Sequence, residues 1–503
     1  MPTLSPMRQN VRELRGGLEL LGRGKVRDSY SIDEKHMLVY ATDGISIFDI
    51  VLNALVPEKG MVLTAMSHYW LKRLENELDI KTHLVAAGSD IDLYLPADLR
   101  NVPWVQLRAM VVRRLKMTDK EFVGRGFLTG SGLKSYQETG AVCGHILLPG
   151  LQDGDELPSV IDTPTTKANE GHDLPLDADA IRKQFPEETA LLLKIYSFVL
   201  EEAKKNGIVF ADTKLEFGRD ENDEVILADE VATPDSSRYW EASVWAAGRK
   251  LEKRKAPPPY DKQIVREEGI VRGINKLDPL SSEDVAKAQA WQVPQELINA
   301  TTQTYRYIFW RMTGMTLEKY QRDVLHVEVA PRKRKLAIVF GSDSDIPRVQ
   351  MAMNVLSRAE NAFSSGLSST PEVHIISCHR NPTDLYAFAS DGCAGADAVI
   401  AAGGKAFALP GVLDAYLHSK GKNIPVIGVA LGDVGSVSLD AAKLSISELP
   451  GQPVVMDETR GMVYEGLIGF SAAIDRVANG EFPTPKKRVA KPSQFNIDLS
   501  ALV

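Results

Sequence analysis

Cysteine is nearly absent from this chain: three residues in 503, Cys143, Cys378 and Cys393, with no Cys-x-x-Cys pair among them. That excludes a disulfide-stapled scaffold and predicts a reducing compartment. Long apolar runs are also missing. The most apolar stretch, residues 396–413, is broken by Lys405, three glycines and Pro410, so no membrane span is expected. The opening residues MPTLSPMRQNVREL lack the apolar core of a signal peptide, which makes the cytoplasm the expected location. Positive charge is in deficit, 59 Lys and Arg against 67 Asp and Glu, for a net charge of −8. Neither nucleic acid nor an anionic membrane is therefore expected as the main partner. An acidic protein still binds anionic metabolites where Arg and Lys cluster locally. No internal repeat is visible.

What is present is an ordinary globular composition, 44% apolar and 25% charged, over a length that accommodates two or more domains. Up to about Tyr320, strand-like runs (36–41, 105–115, 225–228) mix with helical ones (190–205, 294–313), the texture of an α+β unit. Residues 250–260, KLEKRKAPPPY, are charged and then proline-rich and predict a loop within that unit. The pattern lapses over 321–335 and ends in the basic run 331–335, read as a solvated linker. Beyond it, short apolar runs at 336–340, 373–376, 398–402 and 425–429 alternate with helical segments, as in a parallel sheet with helices on both faces. The expected organisation is a first unit 1–320, a linker 321–334, a second unit 335–482 and an arm 483–503 rich in Pro and Lys.

The second unit carries the most telling stretch. The run 336–340 breaks at Gly341 into Ser342, Asp343, Ser344 and Asp345, and an amphipathic stripe of Val349, Ala352, Met353, Leu356 and Phe363 follows. Strand, tight turn and helix predict free N–H groups aimed at an anion. The next run ends in Ser377-Cys378-His379-Arg380-Asn381-Pro382, which places a proton carrier and a fixed cation at a neighbouring strand end. An imidazole accepts and donates protons near neutral pH. A structural histidine is the bland reading of His379, and its neighbourhood to the GSDSD turn favours function.

In the first unit, Gly22-Arg23-Gly24-Lys25-Val26-Arg27-Asp28 is a glycine turn with two cations that does not match the P-loop spacing. Residues 123–136, VGRGFLTGSGLKSY, carry Arg125 and a glycine-flanked Ser131 that lets backbone N–H groups approach a charged oxygen. The segments 211–218 (ADTKLEFG) and 227–240 (LADEVATPDSSRYW) flank a stretch, 219–224, of hairpin-turn composition. That hairpin brings Glu216 and Asp229 side by side, a pair suited to Mg²⁺, which takes one or two carboxylates plus phosphate oxygens. An exposed hairpin with scattered charges is the equal alternative at this point.

Taken in order, GKVRDSY, ATDGISIFD, RGFLTGSGLKSY, TPTTKANEGHD, ADTKLEFG and DEVATPDSSRYW resemble the SAICAR synthetase family over nearly all of residues 15–320. The resemblance implies ATP- and Mg²⁺-dependent joining of CAIR to L-aspartate in purine biosynthesis. By the same analogy Lys25 and Arg27 lie on the ATP phosphate side, and Glu216 and Asp229 hold Mg²⁺. Arg125, Ser131, Ser237 and Arg238 bind the substrate, while Asp212 and Lys214 face the reacting groups from a strand edge. One departure is Gly44 in Thr42-Asp43-Gly44-Ile45-Ser46, where relatives usually carry Arg.

Residues 335–480 resemble AIR carboxylase and N5-CAIR mutase through GSDSD, SCHRNP, a Gly-Gly segment ending in Leu-Pro-Gly, and LSISELPGQPV. The implied fold is a three-layer, Rossmann-like α/β unit. Gly341 and Ser342 would take phosphate, Asp345 ribose hydroxyls, His379 the proton at the carbon where CO₂ adds, and Arg380 the phosphate or carboxylate. AIR or N5-CAIR is the implied substrate, bicarbonate or CO₂ the co-substrate, and a homo-octamer through this unit the implied assembly. The mutase branch has Gly-Gly-Ala-Ala-His-Leu-Pro-Gly, whereas residues 403–411 read GGKAFALPG, one residue longer and without the His. Residues 363–370 look like an insertion. Two alternatives remain: a ligase with a non-catalytic assembly or nucleotide-sensing second unit, and a small-molecule kinase.

Overall fold

The computed structural model describes residues 17–167, 174–357, 366–405, 407–449, 452–458 and 460–483. Phe363, most of the sequence-predicted insertion's first half, the opening segment 1–14 and the arm beyond residue 483 lie outside the described residues. Among the described residues no helix is long and apolar enough to cross a membrane.

The first unit is built on two antiparallel sheets. One runs Leu20–Arg23, Arg27–Ser31, His36–Ala41, Ala109–Arg113, Leu84–Ala87. The other centres on the long strand Ile208–Arg219, which pairs with Lys120–Leu128, Val225–Ala228, Ser237–Glu241 and Lys116–Met117. Alternation explains that central strand: Leu215 and Phe217 enter the core while Asp212, Lys214 and Glu216 share the other face. Helices Lys59–Leu78, Pro186–Lys205 and Gln295–Thr313 supply Trp70, Leu192, Tyr196 and Phe309 to the same core, in keeping with the α+β expectation. The run 105–115 is a strand only over Ala109–Arg113, because Pro103 starts a helical turn, Pro103–Gln106, ahead of it. Residues 250–260 contain no helix or strand, as their composition predicts.

The second unit is a parallel five-stranded sheet in the order Glu372–Ile375, Leu336–Phe340, Ala398–Gly403, Val426–Ala430, Tyr464–Glu465. Leu336, Ile338 and Phe340 pack with the Gly466–Asn479 helix on one face. Ala337 and Val339 pack with Leu409–Ser419 and Val437–Ser447 on the other, which makes three layers. In chain order the strands run 2-1-3-4-5, so the direction of winding reverses between Leu336–Phe340 and Ala398–Gly403. Ligands of such sheets bind in the crevice at the carboxyl ends of the strands flanking that reversal.

Two expectations need correction. The helix after Ser342 begins as a 3₁₀ segment, Asp343–Val349, containing Pro347, and continues as the seven-residue helix Gln350–Leu356. The basic run 331–335 is not wholly solvated. Arg334 is buried, pairs with Glu481 at 2.9 Å, and donates to the carbonyls of Val477 and Gly480. Glu481 also accepts from Arg306 of the first unit at 2.8 Å, so a buried carboxylate ties the two units together.

Candidate active sites

Three strands set three charged side chains in a row. The register places Asp212 opposite Arg125 on one side and Arg238 on the other. Asp212 Oδ2 accepts from Arg125 Nη1 at 2.5 Å and from Arg238 Nη1. Arg125 Nη2 reaches Ser131 Oγ at 3.0 Å, and its Nε reaches Thr163 Oγ1 at 2.9 Å. Gly130 is needed here: a Cβ would stand 2.7 Å from the Arg238 guanidinium, and its φ is +57°. Asp212 is thus central in the sheet and buried, not at a strand edge as expected. Ser237 is not part of the row; its hydroxyl turns to Thr213 Oγ1 at 2.8 Å.

Two and four positions along the same strand face stand Lys214 and Glu216. Lys214 Nζ lies 2.5 Å from Glu121 and 3.7 Å from Glu216, and Lys167 also pairs with Glu216. The expected hairpin forms, its turn closed by Asp220 Oδ1 accepting from the Asn222 and Glu224 N–H groups. Glu216 faces Ala228 across it, and Asp229 follows with a left-handed φ of 55°. Arg27 donates to Asp229 at 2.5 Å and pairs with Glu230. Burial pushes the Asp229 carboxyl up, but Arg27, Lys214 and Lys167 together hold it at about 2. Burial lowers the Lys214 ammonium, and Glu121 and Glu216 more than reverse that, so it stays protonated. Lys25 diverges from Arg27 and pairs with Asp49 at 2.5 Å.

In the second unit, the turn at Gly341–Asp345 and the loop after Gly403 flank the winding reversal. Ser342 Oγ accepts from Ser344 N–H at 3.3 Å and lies 2.9 Å from Ser344 Oγ. Burial pushes the Asp345 carboxyl up, against Arg348, the Gly404 N–H and Lys405. Arg380 donates to the Gly341 carbonyl at 3.1 Å, which draws the adjacent strand end to the turn. His379 is exposed on that edge, its Nδ1 3.5 Å from Cys378 Sγ. A cavity of about 480 Å³ between the units lies against Asp397 and Pro425, at the opposite ends of the strands, and is not this site.

The sequence profile of SAICAR synthetase matches residues 20–276, and that of AIR carboxylase matches residues 335–457. A phosphoribosylaminoimidazole-succinocarboxamide synthase from Saccharopolyspora erythraea is 40% identical over 309 residues, 59% of this chain and 94% of that protein. The chain belongs to the SAICAR synthetase family. A second synthase, from Neisseria meningitidis serogroup C, is 40% identical over 58% of this chain and 96% of its own length. Among solved structures, the SAICAR synthase of Saccharomyces cerevisiae in complex with SAICAR superposes with a TM-score of 0.52. It has 33% identity and covers 63% of this chain and 99% of that one. These relatives stop short of the second unit, so the chain joins a SAICAR synthetase to an AIR carboxylase domain.

Residue chemistry at the hairpin fits the Mg²⁺ that the SAICAR synthetase family implies. Glu216 and Asp229 offer hard carboxylate oxygens, and Lys167, Lys214 and Arg27 surround them with the cations that phosphate groups need. Among the described residues no group of three His, Cys, Asp or Glu side chains forms an all-protein metal cage, so phosphate and water would complete the coordination. Sequence reasoning missed a further set. Lys59, fully buried at a helix start, lies 2.5 Å from Asp235, which also accepts from Tyr305 at 2.5 Å. Asp261 and Lys262 follow the proline-rich loop and face Arg238, Arg266 and Asp235. Asp43, beside the Gly44 that departs from the usual pattern, is held by Arg108 at 2.8 Å. The one signal for these residues was charge at the end of a loop or at a helix start, since partners such as Lys59 and Asp235 are 176 positions apart.

Proposed function

We infer that the first unit joins the CAIR carboxylate to the amine of L-aspartate using ATP, giving SAICAR, ADP and phosphate, and that the second makes CAIR from AIR or N5-CAIR. The observation that carries this is the polar face of one strand. Asp212 stands between two arginines at one end, and at the other Glu216 faces Ala228, the neighbour of Asp229, with Lys214 between Asp212 and Glu216. A carboxylate is a poor electrophile, so it is phosphorylated before the amine attacks. Arg125, Arg238 and Ser131 grip the ribotide, Asp212 orients the aspartate amine, and Lys214 offsets charge on the transferring phosphoryl group. Lys25 and Arg27 face the ATP phosphates, and Mg²⁺ held by Glu216 and Asp229 supplies further charge neutralisation.

In the second unit the Gly341–Ser342 turn receives phosphate and Asp345 the ribose hydroxyls. His379 takes the proton from the imidazole carbon as the bond to CO₂ forms, and Arg380 faces the phosphate or carboxylate. Assembly as a homo-octamer through this unit is supported by apolar exposure: Val373 and Ile375 on the edge strand are 43% and 52% exposed, and Val437 is 85% exposed. A junction within residues 321–334 is supported by the last contacts with the first core, at Val327 and Val329, and by Arg334 pairing with the second unit. Cytoplasmic residence accords with three free cysteines.

The test is ADP release by the full chain. It is expected to need both CAIR and aspartate, whereas a kinase would release ADP without aspartate. His379→Asn is expected to abolish carboxylation of AIR and leave the ligase rate intact. Unchanged carboxylation by that variant contradicts the assigned proton transfer.

A further inference from the structure

At the winding reversal, Ser342 and Asp345 at one strand end meet Gly404 and Lys405 at the next. Gly404 donates its N–H to Asp345, and a Cβ on it would sit 2.6 Å from the Leu431 carbonyl, so the loop is pressed against both neighbouring strand ends. Lys405 follows with a φ of 59°, a left-handed conformation that disfavours a side chain bearing Cβ. The conformation is held from outside the residue. Lys405 N–H donates to Ser438 Oγ at 3.1 Å, and Leu431 N–H donates to the Gly403 carbonyl at 2.8 Å. Beneath the loop the Phe407 ring fills the space over Gly341 and Gly403, where Cβ atoms would approach it to 3.4 and 2.4 Å. The loop therefore does not fold inward, and the Lys405 side chain is exposed on the edge that carries His379. Of the neighbouring cations, Arg348 pairs with Asp433 at 2.6 Å, and Arg380 donates one N–H to the Gly341 carbonyl, which leaves its other donors for the phosphate.

We propose that the Lys405 ammonium receives the carboxylate of the carboxylated ribotide, which makes Lys405 the residue that separates CAIR from AIR in the second unit. The proposal rests on the carboxylase reading above. A ribotide laid along the edge with phosphate at Ser342 and ribose at Asp345 brings its ring beside the next residue, Lys405. A strained lysine, where glycine costs nothing, keeps a cation at the one position where the two ribotides differ. The pair is a charge-assisted hydrogen bond on a half-open edge, and a tenfold change in affinity is its expected scale.

The experiment is calorimetric titration of the full-length His379→Asn chain, so that turnover is blocked, with AIR and separately with CAIR. CAIR is expected to bind two classes of site, one in each unit, and AIR one. Adding Lys405→Gln is expected to weaken the second-unit CAIR class at least tenfold and to move AIR by less than twofold. Lys405→Arg is expected to restore CAIR to within threefold. Equal weakening of AIR and CAIR overturns the assignment while leaving the carboxylase reading in place, because the residue then shapes the loop. If the parent chain binds no AIR and a single class of CAIR, the carboxylase reading falls and this assignment falls with it.

Discussion

Neutralising Asp212 is the most informative single change in the first unit. Asp212→Asn keeps the shape of the side chain and removes the one negative charge between Arg125 and Arg238. The Asp212 and Arg125 side chains are 7% and 8% exposed and that of Arg238 is 27% exposed, so two of the three charges have little water to turn to. Two like charges about 4 Å apart repel by roughly 4 kcal/mol at an effective dielectric constant near 20. Breaking a buried pair by removing one partner costs about 3–5 kcal/mol. Partial solvation of Arg238 trims the expected loss to about 3 kcal/mol, on the same basis. All six tryptophans lie at or before Trp310, so their fluorescence in a urea titration reports chiefly the first unit, with Trp310 also stacked under Arg476 of the second. The midpoint should fall in the variant and recover in part with excess inorganic phosphate, because an anion then sits between the two guanidinium groups. Equal midpoints for the two proteins, or no phosphate response, would refute the charge row as a buried anion-binding element.

Other outcomes follow from the same geometry. Lys214→Met is expected to lower the ligase kcat by about 10²–10³, the usual cost of losing one group that stabilises a developing charge, and to leave AIR carboxylation unchanged. Glu481→Gln removes the carboxylate shared by Arg306 and Arg334. Arg306 keeps Glu58 and Glu318, so a loss of about 2–3 kcal/mol is expected, seen as an earlier fluorescence transition in urea. Burial raises the Asp261 carboxyl to about 6 against the pull of Arg266 and Arg238. A raised acid stabilises the fold most below its unfolded value near 3.8, and that contribution is lost as pH rises through about 6. Wild type should therefore lose about 2 kcal/mol relative to Asp261→Asn between pH 4 and 6.5, read from urea midpoints across that range.

Legibility from sequence followed the range of the interactions involved. The turn composition at 219–224 predicted the hairpin that sets Glu216 opposite Ala228, the neighbour of Asp229, which depends on residues within about twenty positions, whereas Asp212 and Lys214 were reached only through the family resemblance. The three central parallel strands were visible as apolar runs because burial on both faces leaves no alternation to obscure them. Strand Glu372–Ile375 also appeared as a run, although its position at the sheet edge leaves Val373 and Ile375 exposed. The Lys59–Asp235–Tyr305 contact was not legible, since its members come from two helices and a loop that only the tertiary fold brings together. Burial of Arg334 was hidden for the same reason: a basic run reads as solvated until Glu481, 147 residues later, supplies its counter-charge. Ser237 precedes Arg238 on its strand, and alternation turns its hydroxyl to the face of Thr213, opposite the charge row.

The measurement that bears most directly on the two-unit account is incorporation of ¹³C from bicarbonate. The full chain is supplied with AIR, labelled bicarbonate, ATP, Mg²⁺ and aspartate, and the product is examined by mass spectrometry and NMR. The account predicts SAICAR labelled at the new amide carbonyl if CO₂ adds to AIR directly, or labelled SAICAR once N5-carboxylated AIR made from the same bicarbonate is supplied. SAICAR that forms only when CAIR itself is added, from either starting point, would contradict it.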